Sequence, residues 1–189
     1  MKKTLALLTA TCALSLGVSF ASNAASTGTI TFNGELTDST CDVTVNGQGE
    51  DATITLPTVS INELTTSGEV TGRTAFNLGL TNCVVGTEGG QSKVSAFFQT
   101  GATVDQNTGR LINTASGGAT LVDLQLLDAS NSNAVINVGS TDQVTDMAYV
   151  DIDPTAGTAT LPYAVEYYAN GQTTPGVVAS SVVYNLQYK

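Results

Sequence analysis

The chain has 189 residues with 16 acidic and 6 basic side chains, no histidine, no tryptophan and three cysteines. So few lysines and arginines exclude a nucleic-acid backbone or an anionic membrane surface as partner, because both are held by positive charge. The absence of histidine removes the commonest general acid–base residue and metal ligand.

Residues 1–24 carry Lys2 and Lys3, then an apolar run from Leu5 to Phe20, then the small residues Ser22, Asn23 and Ala24. This order is that of a secretory signal peptide cut after Ala24. A retained transmembrane anchor is the alternative, but the run is short and broken by Thr9, Thr11, Cys12 and Ser15. Removing the leader leaves four basic residues, Arg73, Lys93, Arg110 and Lys189, against all 16 acidic ones, a balance of −12. Such an excess keeps a surface soluble and self-repelling. No later apolar run is long enough to span a bilayer, so direct membrane insertion of the mature chain is not expected.

The mature chain opens on a strongly patterned segment. Gly28, Ile30, Phe32, Gly34 and Leu36 share one parity, while Thr27, Thr29, Thr31, Asn33, Glu35 and Thr37 take the other. Alternate side chains of a strand point to opposite faces, so one face here is small or apolar and the other wholly polar. The residues alone leave two readings: a first strand folded on its own core, or a strand donated to another molecule.

Beyond it, strands are expected over 36–45, 52–56, 74–81, 93–99, 121–128, 134–138, 147–152, 158–169 and 177–188, each rich in Val, Ile, Thr, Phe or Tyr. Asn46-Gly47, Gly89-Gly90, Thr108-Gly109, Gly117-Gly118, Asp153-Pro154 and Asn170-Gly171 mark turns between them. Only 60–65 suggests a short helical turn. Many short strands at this spacing predict a single all-β domain, an immunoglobulin-like sandwich. In the last strand Val182, Tyr184, Leu186 and Tyr188 share one face, so this end of the chain is a structural strand and not a frayed tail.

Cys41 and Cys83 remain after processing, and an exported protein passes through an oxidising compartment, so one disulfide between them is expected. That bond removes a thiol nucleophile and a thiolate metal site together. Asp142, Asp146, Asp151 and Asp153 lie close in sequence and are read as a solvated acidic loop, with paired-carboxylate catalysis or weak calcium binding as the alternatives. Gly47-Gln48-Gly49 lacks a following helix and is a turn, not a phosphate loop. No enzyme activity, cofactor or metal is expected.

Four features in order carry a family likeness. They are the G-x-I-x-F-x-G-x-L segment ahead of Cys41, the pattern Phe76, Asn77, Leu78, Leu80, Asn82 before Cys83, the block from Leu161 to Gly176 that reads LPYAVEYYANGQTTPG, and the alternating final strand with penultimate Tyr188. With them the chain resembles the subunits of chaperone–usher pili, and most of all the type 1 fimbrial major subunit. The resemblance implies an incomplete immunoglobulin-like β-sandwich, a six-stranded pilin fold lacking its seventh strand, completed by a donor strand from a neighbouring subunit. It implies a signal peptide at 1–24, a donor extension at 25–38 and a pilin domain at 39–189. Gly28, Ile30, Phe32, Gly34 and Leu36 would then fill a neighbour's groove, and Val182, Tyr184, Leu186 and Tyr188 would edge this subunit's own. Copies of itself, other pilus subunits, a periplasmic chaperone and an outer-membrane usher are the implied partners, and the cell-surface fimbria, reached through the periplasm, is the implied location. A minor or adaptor subunit and a secreted, self-complete immunoglobulin-like binding module are the alternatives. A tip adhesin fits less well, since the family's adhesins pair two domains and lack a donor segment.

Overall fold

A computed structural model describes residues 29–31, 41–85 and 91–189. The leader 1–24, Gly28, Phe32, Gly34, Leu36 and the expected Gly89-Gly90 turn lie outside the described residues. The chain divides into two compact units, Met1–Glu35 and Leu36–Lys189. In the first, residues 29–31 have no regular structure and Ile30 is exposed.

The second unit is built on ten strands: β1 (Asp42–Val45), β2 (Val70–Thr81), β3 (Lys93–Phe98), β4 (Val104–Asp105), β5 (Arg110–Ile112), β6 (Val122–Asp128), β7 (Ala134–Ile136), β8 (Val150–Asp151), β9 (Ala159–Ala169) and β10 (Tyr184–Tyr188). Four of them, β4, β5, β7 and β8, have only two or three residues, leaving six principal strands. One sheet runs β1-β2-β9-β6-β5-β4, with β7 also paired to β6, and the other runs β10-β3-β8. Every pairing is antiparallel.

Period-two alternation decides what each sheet buries. Phe76, Leu78 and Leu80 of β2, Leu124 and Leu126 of β6, and Leu161, Tyr163 and Val165 of β9 are buried in one core cluster with Val94, Ala96 and Phe98 of β3. The Tyr163 ring meets Phe98 edge-on at 5.1 Å and Phe76 at 5.8 Å between centroids. Each such large apolar side chain contributes about 1.5–3 kcal/mol on burial.

Cys41 and Cys83 are bonded, with Cα atoms 4.0 Å apart, closing the mouth of the β1–β2 ladder where Asp42 pairs with Thr81. The ladder between β2 and β9 slips between Thr71 and Thr74. Gly72 occupies the slip with φ +66°, a left-handed conformation that favours glycine.

Several sequence expectations are corrected. Residues 52–56 form no ladder among the described residues; they run extended along one wall of the sandwich. The strand expected over 177–188 pairs only from Tyr184, because 177–179 bond instead to the loop 113–119. The β4–β5 hairpin was not foreseen: two and three residues are too few to show a period. Its turn is held by the Asp105 carboxylate, which accepts from Asn107 N–H (3.0 Å) and Thr108 Oγ1 (2.9 Å). A four-residue helix, α1 (Gln143–Asp146), was likewise unread, whereas the expected helical turn is a 3-10 turn at Ile61–Glu63.

Candidate functional site

Strand β3 is closed on both sides. Toward β10 it pairs from Val94 to Phe98, and toward β8 at Lys93 and Val94. Past β8 two side chains take over the outward edge. Ala96 N–H donates to Tyr163 Oη at 3.0 Å, and Phe98 N–H donates to Gln143 Oε1 at 2.9 Å while Gln143 Nε2 donates to Phe98 O at 3.0 Å. All four residues are buried, so no amide of this edge is left for another strand.

Strand β10 has a different environment. Gln99 N–H donates to Val183 O (2.8 Å) and Lys189 N–H to Lys93 O (2.9 Å), so its odd-numbered peptide groups face β3. Those of Tyr184, Leu186 and Tyr188 therefore face the other way, and among the described residues no strand pairs with that edge. Below the edge lies a groove into the core. One wall carries the half-buried Val182, Tyr184, Leu186 and Tyr188, all packed on the core cluster, with Val183 of the opposite parity exposed. The other wall is the extended 52–56 segment, which turns Ile54 and Leu56 inward.

Two cavities mark the groove. The near one, about 430 Å³, lies between Ile54 and Val182 over a floor of Phe76, Leu124, Leu126 and Val165. The far one, about 440 Å³, lies between Val59 and Val178 over Val122 and Tyr167. Leu56 borders both. Two tyrosines tie the 50–57 wall to the sandwich: Tyr184 Oη donates to Glu50 O (2.9 Å) and Tyr167 Oη to Pro57 O (3.1 Å). Burial raises the Tyr184 phenol above its ordinary value, and the nearby Glu50 and Asp51 charges push it the same way. Burial also raises Tyr188, moderated by its hydrogen bond with the Cys41 backbone. These phenols stay protonated and act as fixed hydrogen-bonding groups.

The four positions read from the final strand thus stand side by side on one wall. Of the five positions read from the opening segment, Ile30 is exposed and the other four lie outside the described residues. The second wall and the floor were missed as site residues, although the alternation of Thr53, Ile54, Thr55 and Leu56 carried the signal. The acidic residues at 142–153 are not gathered: Asp151 pairs with Lys93 (2.7 Å), while Asp153 Oδ1 accepts from Thr155 and Ala156 N–H (2.8 and 2.9 Å) within a turn. No group of three or more metal-ligating side chains occurs among the described residues. Among them, also, no helix is long and apolar enough to cross a membrane.

An apolar groove offers no chemistry for bond making, but it offers what an extended chain needs, a strand edge with no partner strand among the described residues, above apolar pockets. The fold is that of a pilus rod subunit with an incomplete immunoglobulin-like sandwich. A structure titled as a chaperone–usher pilus and its rod uncoiling matches with TM-score 0.59, 20% identity and coverage of 87% of this chain and 96% of that one. The P pilus rod subunit PapA matches with TM-score 0.54, 18% identity and coverage of 79% and 99%. In sequence, the family model of type-1 fimbrial protein A (FimA) matches residues 56–189, and the chain belongs to this family. Major fimbrial subunit SMF-1 of Stenotrophomonas maltophilia is 47% identical over 170 residues, covering 89% of this chain and 95% of the relative. The F17 fimbrial protein of Escherichia coli is 39% identical, with coverage of 92% and 96%, and the type-1 fimbrial protein A chain of Escherichia coli K12 is 30% identical, with coverage of 99% and 98%. The chain is a structural subunit of an extracellular pilus, polymerising with other pilus subunits, and its family is not a class of enzymes.

Proposed function

We propose that the subunit polymerises head to tail by donor-strand exchange, its segment 28–36 entering the groove of the copy ahead of it. The observation that supports this reading is that, among the described residues, no strand pairs with the outward edge of β10 over an apolar groove, while the sequence of 28–36 alternates small or apolar with polar residues. Lengths agree. Gly28 to Leu36 spans about 26 Å when extended, while the wall from Val182 to Tyr188 spans about 20 Å and its continuation to Val178 about 33 Å, at about 3.3 Å per residue. Ile30, Phe32 and Leu36 would bury in successive pockets, Gly28 and Gly34 would pass where the backbone must come close, and Thr29, Thr31, Asn33 and Glu35 would face water. The donor would complete the β10 ladder through the outward-facing peptide groups of Tyr184, Leu186 and Tyr188.

Two surfaces of one chain that complement each other on different copies form a heterologous contact, which generates an open filament. Before assembly the groove is an aggregation hazard, so a periplasmic chaperone occupies it and an outer-membrane usher exchanges that strand for the next subunit's segment. On this reading residues 1–24 are the export signal, 25–38 the donor extension and 39–189 the pilin domain, and the route runs through the periplasm to the cell surface.

Deleting residues 25–37 tests it. The variant should fold against its chaperone and accept a donor, yet fail to add to the subunit ahead of it, so no filaments form when it is the sole subunit and filaments shorten when it is mixed with the parent chain. Filaments of normal length from the deletion variant would refute the exchange.

A further inference from the structure

The far end of the groove is held in shape by one side chain. Asn113, just past β5, uses every hydrogen-bonding position of its amide. Its Nδ2 donates to Ala119 O (2.8 Å) and Val177 O (3.0 Å), and its Oδ1 accepts from the N–H groups of Ala115 (3.1 Å) and Ala179 (2.9 Å). Two donors and two lone pairs are the full capacity of this group. Around it Thr114 N–H and Oγ1 both donate to Ala179 O (2.8 and 3.0 Å), and Ala119 N–H donates to Val177 O (3.0 Å). The two backbones lie in contact: a Cβ on Gly118 would stand 2.3 Å from Val177 O, and one on Gly176 would stand 2.3 Å from Ala119 N.

Two of the residues joined in this way, Ala119 and Val177, line the 440 Å³ cavity together with Val178, which follows Val177 in the chain. We infer that Asn113 is the positioning residue of the groove's far pocket, which receives the terminal apolar side chain, Ile30 or Leu36, of a donor strand from a second copy. This rests on the donor-strand reading above. An amide is required in place of the acid that dominates this chain. A carboxylate would still accept from Ala115 and Ala179 N–H, but it has no proton for the carbonyls of Ala119 and Val177 and would repel both. Without the bridge the 177–179 segment loses two of its ties to the 113–119 loop, the bonds of Thr114 and Ala119 remain, and the pocket loosens on that side.

The test uses filaments assembled from full-length chains carrying Asn113→Asp or the milder Asn113→Ser, scored by the rate of subunit release in hot detergent. Loss of both donated bonds, with a carboxylate charge set against the two carbonyls, should speed release about tenfold for Asn113→Asp, and the shorter hydroxyl should speed it about threefold for Asn113→Ser. A generally weakened fold would not give the second expected result, which is coupling to one end of the donor. The Asn113→Asp effect should vanish when either Ile30→Ala or Leu36→Ala is already present, whichever end seats in this pocket, and persist over Phe32→Ala in mid-strand. Release rates within a factor of two of the parent filament for both variants, or an effect undiminished over both end variants, would overturn the inference. If Asn113→Asp gives no filaments, Asn113→Ser alone decides by the same cycle. Normal filaments from chains lacking 25–37 would instead sink the donor-strand reading itself, a result independent of residue 113.

Discussion

Replacing both bonded cysteines, Cys41→Ala with Cys83→Ala, should lower subunit stability by an amount set by loop length. The two are 42 positions apart, and releasing a loop of that size lowers the free energy of the unfolded chain by about 4 kcal/mol in the chain-entropy treatment. On the native side little changes, because the cysteines end a ladder already held by the four β1–β2 residue pairs. The penalty is a large part of the roughly 5–15 kcal/mol that a typical domain has in total. It is best read on a monomer completed in cis, with a copy of residues 25–38 joined after Lys189 by a flexible linker long enough for it to lie along β10 in either direction. For a urea slope of about 2 kcal/mol/M the midpoint should fall by about 2 M. A fall of less than about 0.5 M at unchanged slope would show that the cross-link does not act through the unfolded chain as reasoned here.

Further expectations concern the frame of the groove. Tyr163→Phe removes the acceptor for the buried Ala96 N–H and should cost about 1–3 kcal/mol, read as a lower thermal midpoint of the same completed monomer; an unchanged midpoint would show that the edge of β3 is satisfied otherwise. At Gly72 a Cβ would stand 2.7 Å from the Tyr167 ring at φ +66°, so Gly72→Val should displace the ring that floors the far pocket and speed filament dissociation; filaments as durable as the parent's would count against that pocket. Turn and loop amides that donate to Glu69, Asp105 and Asp153 hold these carboxyls below their ordinary values of 4.5, 3.8 and 3.8. Their contribution is therefore complete above those values and is lost as pH falls through the lowered ones. The raised phenols of Tyr163, Tyr184 and Tyr188 have the opposite sign, contributing fully below 10.0 and losing it as pH rises further. Urea midpoints across pH should thus form a plateau from about pH 5 to about pH 9; a maximum outside it would refute the assignment.

All four basic residues beyond residue 24 are engaged within the fold. Arg73 Nε bonds Glu166 Oε2 at 2.8 Å, Lys93 bonds Asp151, Arg110 stacks 3.7 Å above the Tyr168 ring beside Asp123, and Lys189 lies 3.9 Å from the Tyr149 ring centre. The scarcity of positive charge was plain in the composition. That each cation would find an internal partner was not, because those partners come from strands as distant in sequence as β2 and β9.

Alternation made much of this protein legible before any coordinates. The period-two pattern of Phe76, Leu78 and Leu80, or of Val182, Tyr184, Leu186 and Tyr188, is a local consequence of strand geometry, so the sequence determined which residues turn inward, that the fold is all-β, and that two cysteines would meet. It did not determine which strand edges stay open. That depends on who lies beside whom: Gln143 and Tyr163 close β3 from 45 and 67 residues away, Asn113 holds the 177–179 segment from across the sheet, and the 52–56 segment, a good strand by composition, stands off without a ladder and becomes a wall. Hydrogen-bond partners of an extended chain are non-local, and only the packed sandwich decides which of them are left waiting.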